Sequence, residues 1–169
     1  MPRTVDMRPD PIYFEALGRF CHQYATLEAV MFNTLALYAK IPNQMARAVF
    51  SGTRVRAAMG FIKRICQIQD PGEHNRKDLE YVFKQLEGFT ALRDDILHHG
   101  SVLTDDKGRI TSNIVRNLTP NKLVERSAST ETLNAATADL FKIGLHLVFH
   151  LTTRTLLSPN ERAERDARF

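Results

Sequence analysis

Four stretches of this chain repeat apolar side chains at steps of three and four, and that period commits most of the polypeptide to amphipathic helices. The first stretch carries Leu17, Cys21, Tyr24, Leu27, Met31, Leu35 and Tyr38. It predicts a helix from Pro11, capped by Asp10, to near Lys40, before Pro42. Asn43 is placed to cap a short helix through Phe50, and Ser51-Gly52-Thr53 breaks and recaps the chain. A helix over about Thr53 to Gln69 follows, burying Val55, Met59, Ile62 and Cys66, and Asp70-Pro71-Gly72 stops it. The third long helix starts by Asn75 and carries Leu79, Val82, Leu86, Phe89, Arg93 and Ile96. The fourth enters at Ser129 or Thr130, carries Leu133, Ala136, Leu140, Ile143, Leu147 and His150, and runs to about Leu157, before Ser158-Pro159.

Between the last two helices the period changes. Ser101-Val102-Leu103-Thr104 and Arg109-Ile110-Thr111 flank Asp105-Asp106-Lys107-Gly108, which reads as a small β-hairpin with glycine at its turn. A polar connection through Asn117 to Pro120 leads on. The expectation is an all-α, up-and-down bundle of four to five helices with a small hairpin inserted after the third long helix. One domain over residues 11–157 is flanked by loosely ordered termini at 1–10 and 158–169. A chain of 169 residues with 43% hydrophobic content suffices for one core.

Charge is distributed unevenly. The net charge is only +4, yet no acid falls between Glu28 and Asp70, where Lys40, Arg47, Arg54, Arg56, Lys63 and Arg64 all lie. From Asp70 to Asp95 acids outnumber bases seven to four. One helix is therefore basic and its neighbour acidic. Arg47, Arg54, Arg56, Lys63 and Arg64 are candidates for holding RNA backbone or an acidic partner, against the alternative of a solvated face. Cys21 and Cys66 lack metal or redox spacing and read as buried free thiols in a reducing compartment. The first ten residues lack a signal peptide's apolar core, and no apolar run is long enough to span a bilayer, so the reading is cytoplasmic, with no membrane partner.

The stretch Ala91 to Gly100 concentrates the chemistry, with Arg93, Asp94, Asp95, His98 and His99 inside one helix end. Arg93 occupies a position of the apolar stripe. A guanidinium there needs partners, because breaking a buried ion pair costs roughly 3–5 kcal/mol. Asp94 with His98, and Asp95 with His99, are i,i+4 neighbours, so each carboxylate can reach an imidazole and fix its tautomer. Arg93 and His98 are separated by about 140° on an ideal helix. Their convergence on one substrate therefore requires the helix end to unwind at Gly100 or two chains to contribute.

Other chemistries lack support. The histidine pairs, His98 with His99 and His146 with His150, have no third ligand and no HExxH pattern, so no metal site is called and no cofactor is required. His146 and His150 read as satisfied bundle histidines. No nucleophile motif surrounds either cysteine, and the eight glycines form no phosphate-cradling loop. A helix C-cap explains His98, His99 and Gly100 but leaves Arg93 unexplained.

Arg93-Asp94-Asp95-Ile96-Leu97-His98 resembles the R-x4-6-H signature of HEPN domains, in which a polar residue commonly follows the arginine. The long helix before the motif, the hairpin after it and the closing helix extend the resemblance over roughly Pro11 to Leu157. What it implies is a homodimer whose paired motifs form a metal-independent ribonuclease cleft, of toxin or defence type, with an antitoxin or a nucleotidyltransferase as candidate protein partners. Arg93 would then hold the scissile phosphate and stabilise the charge building on it, Asp94 orient the site, and His98 take the proton of the RNA 2′-hydroxyl or deliver one to the leaving oxygen. His99 stands where the family often has glycine, so both His98 and His99 satisfy the spacing; the pairing with Asp94 favours His98. The alternatives are a non-catalytic HEPN-like module for dimerisation or nucleotide binding, and a plain structural bundle.

Overall fold

Asp10 and Pro11 begin the first helix as expected: the Asp10 carboxylate accepts from the Tyr13 amide at 3.0 Å, and Pro11 occupies the first helical position. A computed structural model of the chain describes residues 10–104, 108–113 and 122–156. Its helices are α1 (Pro11–Ala39), α2 (Asn43–Phe50), α3 (Val55–Gln69), α4 (Glu73–His99) and α5 (Thr130–Leu156). Three short strands lie between the last two: β1 (Val102–Thr104), β2 (Gly108–Ser112) and β3 (Glu125–Ser127). The architecture is a helical bundle with a small antiparallel sheet.

Side-chain pairings set the directions. Tyr13 reaches Ser101 while Tyr24 reaches Thr90, so α1 runs antiparallel to α4. Lys63 of α3 pairs with Glu87 at 3.8 Å, joining the basic helix to its acidic neighbour. His146 of α5 meets Asp78 near the start of α4 at 2.8 Å, so α5 also runs against α4. The core draws on all four long helices: Phe20, Leu27, Met31 and Leu35 from α1, Val55 and Ile62 from α3, Phe83 and Leu86 from α4, and Leu133, Leu140 and Leu147 from α5. α1 packs most extensively against α5.

Several boundaries move. Pro42, not Asn43, is the N-cap of α2, and Arg54 rather than Thr53 caps α3, neither with a side-chain bond. α4 starts at Glu73, two residues before Asn75, whose side chain instead donates back to the Pro71 carbonyl at 2.8 Å. In the first turns of α1 the buried residues are Tyr13, Ala16 and Phe20, with Leu17 and Cys21 at the edge of the stripe.

The hairpin expected over 101–111 is present but incomplete as a description. β1 pairs with β2, and β2 pairs on its other edge with β3, a strand the pattern did not predict because Glu125-Arg126-Ser127 has no apolar alternation. Thr111 sits opposite Arg126, so both side chains share the face turned to α4. Thr111 donates to the Gly100 carbonyl at 2.7 Å and Arg126 to the Asp95 carboxylate at 3.0 Å. The sheet thus clamps the end of α4. On the same corner Arg109 lies 3.9 Å over the Tyr13 ring and 3.6 Å from Asp10, tying in the start of α1.

The expected turn at Asp105 to Lys107, the connection at Asn117 to Pro120, the side chain of His150, Leu157 and the terminal segments other than Asp10 lie outside the described residues. Among the described residues no helix is long and apolar enough to cross a membrane.

Candidate functional site

The second half of α4 presents Thr90, Arg93, Asp94, Leu97 and His98 along one side, at steps of three, one, three and one. They form one wall of a cleft of about 350 Å3. Tyr24 and Glu28 of α1, and Arg54, Val55 and Arg56 at the start of α3, form the rest. A volume of this order takes a small ligand or one unit of a larger one.

Arg93 is built in from beneath. Its guanidinium lies 5.4 Å from the centre of the Tyr24 ring, and its Nη1 donates to Asp94 Oδ1 at 3.0 Å. Tyr24 is buried and its hydroxyl meets Thr90 Oγ1 at 2.9 Å. Burial pushes the Tyr24 hydroxyl above its ordinary pKa, with the Thr90 bond pulling the other way. Arg93 retains 22% and Asp94 19% side-chain exposure, so both can meet solvent or a ligand. The anomaly in the apolar stripe is resolved here: Arg93 faces a wet cleft, paired with a carboxylate and seated on an aromatic ring.

Arg93 and His98 both line this cleft within one chain, and α4 continues unbroken through His99. The helix end is thus not unwound before Gly100, and the two side chains border the same cleft.

The second carboxylate–histidine pair does not form. Asp95 is buried and taken by Arg126, with Nε to Oδ2 at 3.0 Å, while both ring nitrogens of His99 are buried and meet no hydrogen-bond partner. The reason is the sheet: Arg126 brings a guanidinium to Asp95, and that charge-assisted bond takes the carboxylate His99 would need. His98 is exposed and on the cleft; His99 is not among the residues lining it.

The basic stretch divides. Only Arg54 and Arg56 reach the cleft, and Arg54 Nη1 lies 3.6 Å from Glu28 Oε1. Lys63 turns to Glu87 and the Phe83 ring, Arg64 covers Phe61 at 4.8 Å, and Arg47 is exposed on α2. A second, apolar-floored cavity of about 410 Å3 lies between α3 and α4, among Ile62, Cys66, Leu79 and Phe83. Lys63 and Arg76 at its rim are ion-paired to Glu87 and Glu73, and neither Arg93 nor His98 borders it.

Three contributors are not evident from the sequence. Glu28 is signalled only as the last acid before the acid-free stretch, and Arg126 by nothing in the pattern. Cys21, distant in sequence from the motif, is close enough to Arg93 to feel its charge, which partly offsets the rise in thiol pKa that burial causes. His146, expected to be satisfied, is held by Asp78. Among the described residues no three His, Cys, Asp or Glu side chains gather as a metal site. No protein-family profile, no characterised protein and no solved structure matches this chain.

Proposed function

We propose that the protein is a metal-independent endoribonuclease of HEPN type, acting at the cleft of Arg93, Asp94 and His98. The observation that carries the reading is the meeting of Arg93 and an exposed His98 in one cleft whose opposite wall supplies Arg54 and Arg56. A guanidinium seated on Tyr24 is aimed and partly desolvated, which suits it to charge building on a phosphate. An imidazole free to meet solvent suits proton transfer near neutral pH.

In the reaction, the RNA 2′-oxygen attacks the adjacent phosphorus and the bond to the 5′-oxygen breaks, giving a 2′,3′-cyclic phosphate and a 5′-hydroxyl. His98 takes the 2′-hydroxyl proton, the leaving 5′-oxygen takes a proton from solvent water, and His98 then returns its own to solvent. Arg93 keeps its Nη1 bond to Asp94, which holds the guanidinium aligned, and turns its remaining N–H groups to the phosphate oxygens. A homodimer that sets two such clefts side by side, a toxin or defence role, and an antitoxin or nucleotidyltransferase partner belong to the same proposal.

The test is RNA cleavage by purified protein in EDTA, compared with Arg93→Ala and His98→Ala. Cleavage by wild type and its loss in both folded variants is the expected result. Equal cleavage by all three, or none by a folded wild type, overturns the reading. A non-catalytic helical module then becomes the better account, and the Arg93–Asp94 bond favours it as a structural pair.

A further inference from the structure

The cations of the cleft sit at two depths. Arg93 is three-quarters buried against Tyr24, with 22% of its side chain exposed, whereas Arg54 at the start of α3 is 71% exposed and Arg56 beside it is exposed too. One phosphate held at Arg93 therefore leaves Arg54 and Arg56 at the rim, where the next phosphate of a strand would lie. These two arginines have no acid in the first turn of α3 and no side chain capping it, so the positive end of that helix adds to their field. The acid facing Arg54 comes from another element: Glu28 of α1, 27% exposed, at 3.6 Å.

Taking the cleft to be the RNA site proposed above, we infer that Arg54 and Arg56 hold the phosphate adjoining the one at Arg93, and that Glu28 occupies Arg54 until the strand displaces it. The cleft then reads at least two consecutive phosphates. It also carries its own competitor: a carboxylate on Arg54 and another on Arg93 offset two of the three arginines that line the cleft, and the strand contests both with phosphate oxygens. The residues of the cleft offer no exposed aromatic ring, since Tyr24 is buried beneath Arg93, so backbone charge rather than base stacking dominates recognition.

The experiment is fluorescence titration of a short unstructured RNA with methylated 2′-hydroxyls, which cannot be cut by 2′-attack, over a series of salt concentrations. A dinucleoside monophosphate, which offers a single phosphodiester, is titrated alongside. The double variant Arg54→Gln/Arg56→Gln should bind the longer strand about tenfold more weakly. Its salt slope should flatten by about 0.7 for each phosphate that the variant no longer neutralises. Its affinity for the dinucleoside monophosphate should match wild type. Glu28→Gln should act in reverse, binding the longer strand more tightly. Equal weakening towards both probes places the arginines on the phosphate of Arg93 and overturns the inference. So does an unchanged salt slope, a neutral or weakening Glu28→Gln, or no binding by folded wild type. Cleavage of ordinary RNA is scored separately: binding as described without cleavage sinks the ribonuclease reading alone, and cleavage with an unaltered slope sinks this inference alone.

Discussion

Asp94 and Asp95 are neighbours on one helix, and each holds an arginine at 3.0 Å, yet the two pairs belong to opposite kinds of environment. Asp94 grips Arg93 from its own helix at the edge of a cleft, where both remain partly exposed. Asp95 is sealed under the sheet and held by Arg126, thirty-one positions away. The first pair borders a cleft, so each group can meet water or a ligand as the two part. In the second they cannot, because separating it strands a carboxylate that is only 6% exposed. One turn of α4 thus carries a replaceable ion pair on one face and a permanent one on the other.

The sharpest way to break this contrast is to disturb function on the cleft face without disturbing the fold. His98→Ala should lower RNA cleavage by roughly 10²–10⁴-fold, the usual worth of a positioned proton-transfer group. His98 is exposed, so the melting temperature should stay where it is. A variant that melts early instead would put His98 on the structural side of the comparison.

Next in size is the sheet face. Arg126→Ala leaves the buried Asp95 carboxyl without its cation and should cost about 3 kcal/mol in urea unfolding, towards the low end for a broken buried pair because Arg126 itself is partly solvated. Adding Asp95→Leu should recover much of that loss by removing the orphaned carboxyl. Asp94→Asn, by comparison, should cost about 1 kcal/mol or less while still impairing cleavage. If Arg126→Ala and Asp94→Asn prove equally mild, the two faces are not different in kind.

The smallest effect concerns the floor beneath Arg93. Burial holds Tyr24 neutral, so its hydroxyl ionises at higher pH in the folded chain than in the unfolded one. The stability this contributes is complete below the ordinary tyrosine range and is lost as pH climbs through the raised folded value. Tyr24→Phe should therefore cost about 1 kcal/mol at neutral pH, through the lost bond to Thr90, and flatten the decline of the urea midpoint above about pH 10. A decline as steep as wild type would assign alkaline unfolding to other groups.

How much of this is legible in the sequence follows from how local each feature is. The long helices are readable because a three-to-four period is written within each of them, and Asp10-Pro11 marks a boundary because capping acts over three residues. Arg93 announces itself by breaking a stripe. Its surroundings do not, because Tyr24, Glu28, Arg54 and Arg56 come from other helices and share no period with it. The partner of Asp95 is hidden for the same reason: the nearest candidate along the helix is His99, and the stronger partner arrives on a three-residue strand with no pattern of its own.

The extensive packing of α1 against α5 also has a meaning in time. The first long helix to leave the ribosome has as its principal mate the last one, so that contact must wait for more than a hundred residues to be synthesised. At ordinary elongation rates that is roughly ten seconds before the contact can form. Packing between segments this distant also raises contact order above that of a bundle whose neighbours in space are neighbours in sequence, and so slows closure of the core. The cleft, by contrast, takes its walls from α1, α3 and α4, all of them synthesised before the sheet and α5.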